Sequence, residues 1–153
     1  MNNNSIGFFD SGIGGITIWE SVNRLLPKEN TIYLADSNNS PYGTKSNDEL
    51  INISKENVEF LINKKCKLIV VACNTATTNS INFLRESYDL PFIGIEPAIK
   101  PAALNTKTGK IGVLATKGTL GSSLFEKTSN IHGNKVEIIE QHGIGLVELI
   151  EKG

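Results

Sequence analysis

Short apolar runs alternate along the chain with longer stretches in which apolar residues recur at helical spacing. The apolar runs predict strands over residues 6–9, 31–35, 68–72, 92–95, 110–115 and 136–139. The intervening stretches predict helices over residues 16–26, 75–86 and 118–127. Another helix is predicted to follow a capping box formed by Ser46 and Glu49, and two more are predicted to begin near residues 96 and 144. The run over 68–72 is apolar throughout, as in a strand buried on both faces of a parallel sheet. This order predicts an α/β fold in which helices flank a parallel sheet.

Composition narrows the classes of partner. The 153 residues are 39% hydrophobic and 20% charged, which suits one ordinary folded domain. Fifteen basic and sixteen acidic residues leave a net charge of −1, so no bulk attraction to nucleic acid or to an anionic membrane is expected. The longest apolar run, Leu68–Cys73, has six residues and cannot span a bilayer. Met1–Ser5 lacks signal-peptide features and two cysteines make no disulfide scaffold, so we expect a cytoplasmic protein with reduced thiols.

Polar residues follow several predicted strands. Ligands of open parallel sheets bind at the carboxyl ends of the strands, so these residues are expected to converge. They are Asp10 and Ser11, then Tyr42 and Gly43, then Cys73, Asn74 and Thr75, and finally Thr116 and Thr119. Taken singly, Tyr42-Gly43 is also typical of a turn, and the two threonines of helix caps.

Cys73 is the strongest candidate for a catalytic residue. It ends a buried strand and begins a helix, whose free N–H groups favour a thiolate. The polar neighbours Asn74 and Thr75 favour function over an inert core thiol. Cys66, just before the same strand, is interpreted as inert, and no Cys/His cluster with zinc-site spacing is present.

Two chemistries remain open for this thiol. The nucleophile elbow of hydrolases requires glycine two residues before and two residues after the nucleophile. This chain has Val71 and Thr75 at those positions, so that class of hydrolase is disfavoured. A dyad with His132 or His142 stays possible. The other reading is a proton acid/base, beside hydroxyl and amide groups that could hold a carboxylate and an ammonium.

Several segments together resemble the glutamate racemases of the aspartate/glutamate racemase superfamily over the whole chain. The segments that carry the resemblance are Ile6–Gly15, Asp36–Gly43, Val70–Ala76, Gly94–Ala98 and Gly112–Thr119. Aspartate racemases have a different, Gly-rich opening without Asp-Ser, so the resemblance favours glutamate as substrate.

The resemblance implies cofactor-independent interconversion of L- and D-glutamate, which supplies D-glutamate for peptidoglycan. Two cysteines would flank the substrate Cα, one removing its proton and the other returning a proton from the opposite face. Cys73 would be one of them, assisted by Asp10, and Glu151 aligns with an acidic residue suspected of assisting in some members. Residues expected to hold the substrate are Asp10, Ser11, Tyr42, Gly43, Asn74, Thr75, Thr116 and Thr119. The resemblance implies that the enzyme uses neither a metal nor a cofactor. It also implies that the complete protein is a homo-oligomer, namely a dimer.

The resemblance also implies a domain division. Members have two similar α/β domains, and the second cysteine, in a Cys-Thr-His motif, lies beyond residue 153. Residues 1–97 would form most of the first domain without its C-terminal closing segment, and residues 98–153 the start of a truncated second domain. We therefore expect this chain to be inactive alone. A non-catalytic carboxylate-binding fragment and an aspartate racemase-type enzyme are the alternatives.

Overall fold

The computed structural model describes residues 4–132 and 136–153, so most of the Asn-rich start lies outside the described residues. The strands are β1 (Ile6–Asp10), β2 (Thr31–Ala35), β3 (Leu68–Val71), β4 (Phe92–Gly94), β5 (Lys110–Ala115) and β6 (Glu137–His142). The helices are α1 (Ile16–Leu25), α2 (Asn47–Asn63), α3 (Asn74–Ser87), α4 (Ile99–Asn105), α5 (Lys117–Leu120), α6 (Ser123–His132) and α7 (Leu146–Lys152). Two 3₁₀ turns, Ser37–Asn39 and Tyr42–Thr44, follow β2.

Every strand pairing is parallel, which confirms the predicted α/β class. Four strands form one sheet in the order β2-β1-β3-β4, and β5 pairs with β6 in a second, two-stranded sheet. All strands of the first sheet precede residue 97, and both strands of the second follow it. No helix of the described residues is long and apolar enough to cross a membrane.

The first sheet is covered on both faces, which explains the unbroken apolar runs. All five residues of β1 are buried. Phe9 packs with Val58 and Leu61 of α2 and with α3, whereas Phe8 packs with Trp19 of α1 on the other face. Because β1 and β3 are central strands, neither face of them meets water, and alternation of polar and apolar residues is not needed.

The second sheet buries mainly one face. Ile99 of α4, Ile111 of β5 and Phe125 of α6 form its small core. Leu114 of β5 is 62% exposed and Leu149 of α7 is 68% exposed. This part of the chain therefore presents apolar side chains to solvent.

Several element boundaries differ from the sequence expectations. The helix expected from residue 96 begins at Ile99. The helix expected over 118–127 is two helices, because the Ser122 hydroxyl accepts a hydrogen bond from Phe125 N–H (3.2 Å) and so caps a new helix there. The last strand is Glu137–His142 rather than residues 136–139.

The capping box that begins α2 is present as predicted. Ser46 Oγ accepts from Glu49 N–H (3.3 Å), and Glu49 Oε2 accepts from Ser46 N–H (2.8 Å). These bonds satisfy two main-chain donors that the first turn of the helix leaves free.

Replacing Ser46 by Ala should lower the free energy of unfolding by about 1 kcal/mol, because Glu49 N–H loses the hydroxyl oxygen that accepts its hydrogen bond. Urea denaturation followed by circular dichroism measures the change. Glu49→Gln is the matched control, since its amide oxygen can still accept from Ser46 N–H and a smaller loss is expected. Equal losses in the two variants would contradict this account.

Candidate active site

A cavity of about 210 Å³ lies at the carboxyl ends of β1, β3 and β5. Seven predicted site residues line it: Asp10, Ser11, Cys73, Asn74, Thr75, Thr116 and Thr119. The rest of its wall is formed by Gly14, Leu114, Ala115, Val147, Ile150 and Glu151. The cavity thus collects polar groups from both sheets.

Cys73 occupies the junction between β3 and α3. As the N-cap residue of α3, its sulfur accepts a hydrogen bond from Ala76 N–H (3.5 Å). The thiol donates to Ser11 Oγ across 3.8 Å, and Ser11 N–H is a further donor toward the sulfur. Donors that point at sulfur favour the thiolate form.

The net shift of this thiol is nevertheless upward, which corrects the expectation of a raised thiolate fraction. Burial, followed by the charge of Asp10, raises the pKa of Cys73 from 9.0 to about 11. The hydrogen bonds from Ala76 and Ser11 oppose this shift without cancelling it. Desolvation disfavours the charged form more strongly than a helix N-terminus stabilises it here.

Asp10 is buried at the end of β1, with 5% of its surface exposed. Its Oδ2 accepts from Gly12 N–H (3.2 Å) and Gly15 N–H (3.1 Å). A side chain at Gly15 would meet the Cβ of Ala72 at 2.8 Å and of Asp10 at 2.9 Å, so only glycine fits. Tyr33 also anchors this turn by donating to Gly12 O (2.9 Å).

Three threonine hydroxyls join the two sheets across the cavity. Thr75 Oγ1 lies 2.8 Å from Thr116 Oγ1 and 3.0 Å from Thr119 Oγ1, and the last two are 3.1 Å apart. Thr116 Oγ1 also accepts from Thr119 N–H, which caps α5. The expected capping role is therefore real, and the same hydroxyls face the cavity.

Tyr42 and Gly43 do not line this cavity. The Tyr42 hydroxyl donates to Asp36 Oδ2 (2.6 Å) and accepts from Asn57 Nδ2 (2.9 Å) in the protein interior. Burial, followed by the hydrogen bond to Asp36, raises the pKa of Tyr42. Gly43 packs against Thr116, whose Cβ lies 2.7 Å from where a Gly43 side chain would begin.

Glu151 reaches the cavity from α7. Its Oε1 accepts from Ile13 N–H (3.0 Å), next to the turn that holds Asp10. The carboxylate lies directly over Gly12, where a side chain would begin 2.1 Å from Oε1. This contact ties α7 to the first sheet.

Neither histidine lines the Cys73 cavity. His142 lines a neighbouring cavity of about 200 Å³, which shares Thr116 and Val147 with the first. Cys66 is buried in the core of the first sheet, and burial raises the pKa of its thiol. Among residues 4–132 and 136–153, no three His, Cys, Asp or Glu side chains are grouped to hold a metal ion. The geometry thus gives no support to the Cys–His dyad.

Neither Asn57 nor the role of Asp36 was expected from the sequence. Asn57 is buried among Leu50, Val58 and Leu61 on the inner side of α2. A polar residue at an apolar position of this helix was a signal for a buried hydrogen-bond network.

Comparison with known proteins places the chain in a family. A sequence model of the family described as Asp/Glu/Hydantoin racemase matches residues 13–153, so the chain belongs to that family.

Its curated relatives include glutamate racemases, which confirms the resemblance found in the sequence. Those of Herpetosiphon aurantiacus and Clostridium botulinum (strain Kyoto / Type A2) are 44% and 48% identical over all 153 residues. The chain spans 60% of the length of each of them.

Solved structures of glutamate racemases also resemble this chain. Escherichia coli glutamate racemase in complex with L-glutamate and the activator UDP-MurNAc-ala is 37% identical, with a TM-score of 0.88 over 95% of this chain and 56% of that one. Francisella tularensis glutamate racemase in complex with D-glutamate is 31% identical, with a TM-score of 0.83 over all of this chain and 58% of that one.

Alkylation of Cys73 by iodoacetamide should accelerate with pH toward a midpoint near 11, because the thiolate is the reactive form. We expect Asp10→Asn to lower the midpoint, since the carboxylate charge raises the pKa of the thiol, and Ser11→Ala to increase it, since the hydroxyl lowers that pKa. Mass spectrometry in a Cys66→Ala background follows the single thiol. A midpoint below 9.0 would contradict the assigned balance.

Proposed function

We propose that this chain is the N-terminal part of a glutamate racemase, which interconverts L- and D-glutamate by proton transfer without a cofactor. The observation that carries the proposal is the single cavity in which a thiol lies beside a buried carboxylate and three hydroxyls. The relatives and solved structures that share this fold bear the same activity in their names.

Cys73 serves as the acid/base group on one face of the substrate. The α-proton moves from Cα to the Cys73 sulfur, and the electron pair left on Cα is delocalised into the α-carboxylate. A proton delivered to the opposite face then gives the other enantiomer. A thiol with a raised pKa is rarely ionised at neutral pH, but its thiolate is a stronger base once formed.

Asp10 assists Cys73 and does not supply the second face. It lies on the same side of the cavity, at the end of the strand adjacent to β3, and its charge acts on the thiol. Cys66 cannot supply the second face either, because it is packed in the core. We assign the opposite face to a second cysteine in the part of the relatives that this chain does not span.

Hydroxyl and amide groups hold the substrate. Ser11, Asn74 and the three threonines offer neutral donors, which suit a dicarboxylate. Gly43 and Tyr42 lie outside the cavity and act on it indirectly, because Gly43 packs against Thr116, which lines it. Neutral donors leave the charge of Asp10 as the main electrostatic influence on Cys73.

The wider role follows from the activity. Residues 1–97 belong to the first racemase domain and residues 98–153 begin the second. The complete protein is a cytoplasmic homodimer that supplies D-glutamate for peptidoglycan, and thereby supports cell wall biogenesis and cell shape. The exposed apolar residues of the second sheet fit a surface that further chain covers.

The chain of residues 1–153 should exchange the α-proton of one glutamate enantiomer for deuterium in D₂O, slowly and without producing the other enantiomer. Single-face exchange needs only Cys73, whereas inversion needs an acid on the opposite face. NMR and chiral chromatography, run with L- and D-glutamate separately, measure both outcomes.

The matched pair of thiol variants tests the assignment. Cys73→Ala should reduce exchange at least ~100-fold, the lower range for a general acid–base group. Cys66→Ala should leave the exchange nearly unchanged. A carboxylate-binding fragment without catalysis would bind glutamate and show no exchange, and accumulation of the other enantiomer would contradict the single-face argument.

Asp10→Asn should lower the exchange rate while changing glutamate affinity little, because the carboxylate acts on the thiol during proton transfer. Isothermal titration gives the affinity and NMR the exchange rate. A loss of affinity with an unchanged rate at saturation would instead make Asp10 a ligand of the substrate ammonium.

A further inference from the structure

A partly buried polar network lies beneath the loop that carries Tyr42 and Gly43. Asp36 follows β2, and its carboxylate accepts from Tyr42 Oη (2.6 Å), Asn57 Nδ2 (3.2 Å) and Asn39 Nδ2 (3.0 Å). Tyr42 is 1% exposed and Asn57 is 7% exposed. Hydrogen bonds in such surroundings are strong, and breaking one leaves a costly unpaired group.

This network is joined to the cavity at two points. Asp36 N–H donates to Asp10 O (2.9 Å), so the start of the loop is fixed to the strand end that carries the catalytic carboxylate. At the other end of the loop, Gly43 packs against the start of α5. Its Cα faces Thr116, and its carbonyl oxygen lies 3.1 Å from where a Gly118 side chain would begin.

The charge of Asp36 restricts the loop to one conformation. Within the residues that the structure describes, no Lys or Arg forms an ion pair with Asp36, and neutral donors hold its carboxylate. A phenol, an amide and a carboxylate must therefore meet in one geometry, whereas an apolar core would allow several. A polar network of this kind favours a single loop conformation over maximal stability.

We propose that Asp36 and Asn57 are positioning residues, which act through the Tyr42 hydroxyl to hold the Gly43 main chain against Thr116. The inference rests on the proposed function, since the purpose of that placement is to shape the glutamate cavity. Neither residue lines the cavity, so their effect is on substrate affinity rather than on proton transfer at Cys73.

Asn57→Leu is the test variant, because it keeps the branched shape of the side chain and removes both N–H donors. Ser54→Ala is the matched control. Ser54 is one turn earlier on the buried side of α2, and its hydroxyl has no hydrogen-bond partner among the described residues. The two variants remove a polar group from the same helix, but only one of them contacts the loop network.

The first readout needs no ligand. Amide hydrogen exchange over residues 37–45 of the 153-residue chain should speed up about tenfold or more in Asn57→Leu, the factor that corresponds to one lost buried hydrogen bond. Exchange in β1 and β3 should be unchanged, and Ser54→Ala should match the wild type throughout. Tyr42→Phe should loosen the loop similarly. The effect of combining it with Asn57→Leu should be less than additive, because the bond between Tyr42 and Asn57 is lost in either single variant, whereas each residue also loses its own bond to Asp36.

The second readout separates positioning from general stability. Asn57→Leu should weaken glutamate binding by about tenfold, while the rate of α-proton exchange at saturating glutamate falls much less. Loop exchange equal to that of Ser54→Ala would overturn the inference whether or not glutamate binds. Equal losses of affinity and saturated rate would also overturn it. Absence of glutamate binding by the wild-type chain would overturn the proposed function and the substrate role of the loop, whereas the loop readout would still report whether the network holds it.

Discussion

A buried carboxylate at the end of a central strand is the constraint on which the rest of this site depends. Asp10 has almost no contact with water, so its charge must be stabilised by the protein itself. Two main-chain N–H groups do this, and they can reach Oδ2 only because the chain turns tightly over a glycine that has no room for a side chain. The same turn brings Ser11 to the sulfur of Cys73. The sequence of small residues after β1 is thus a requirement of electrostatics as well as of geometry.

The site lies between two sheets, and small or hydroxylated residues bring them together. Thr75 belongs to the first sheet's helix layer, whereas Thr116 and Thr119 belong to the second, and their hydroxyls approach within hydrogen-bond distance. Gly43 and Gly118 allow the backbones to come equally close. Asn79 adds a further link by donating to Gly118 O (3.1 Å). Bulky apolar residues build each core, and the junction is made of groups that can also bind a polar ligand.

The sequence predicted the elements better than it predicted their surroundings. Apolar runs located β2 and β5 to the residue, because burial on both faces or against a helix leaves a local pattern. The cap at Ser122 split a predicted helix, and no apolar periodicity reports such a break. Cys73 was identified from its place in the chain, but the direction of its pKa shift depends on burial and on Asp10, which is distant in sequence. The Tyr42 side chain likewise turns inward because Asp36 and Asn57 are there to receive it.

The triangle of Thr75, Thr116 and Thr119 has a property that its heavy atoms alone do not reveal. In a ring of three mutually hydrogen-bonded hydroxyls, the O–H bonds can all point clockwise or all point anticlockwise. Each O–H reverses its direction simply by rotating about its C–O bond. An anion that enters the cavity can draw one or more of these protons outward without moving any side chain. The three threonine hydroxyls are therefore dipoles that can reorient when the charge in the cavity changes, within the time of a bond rotation.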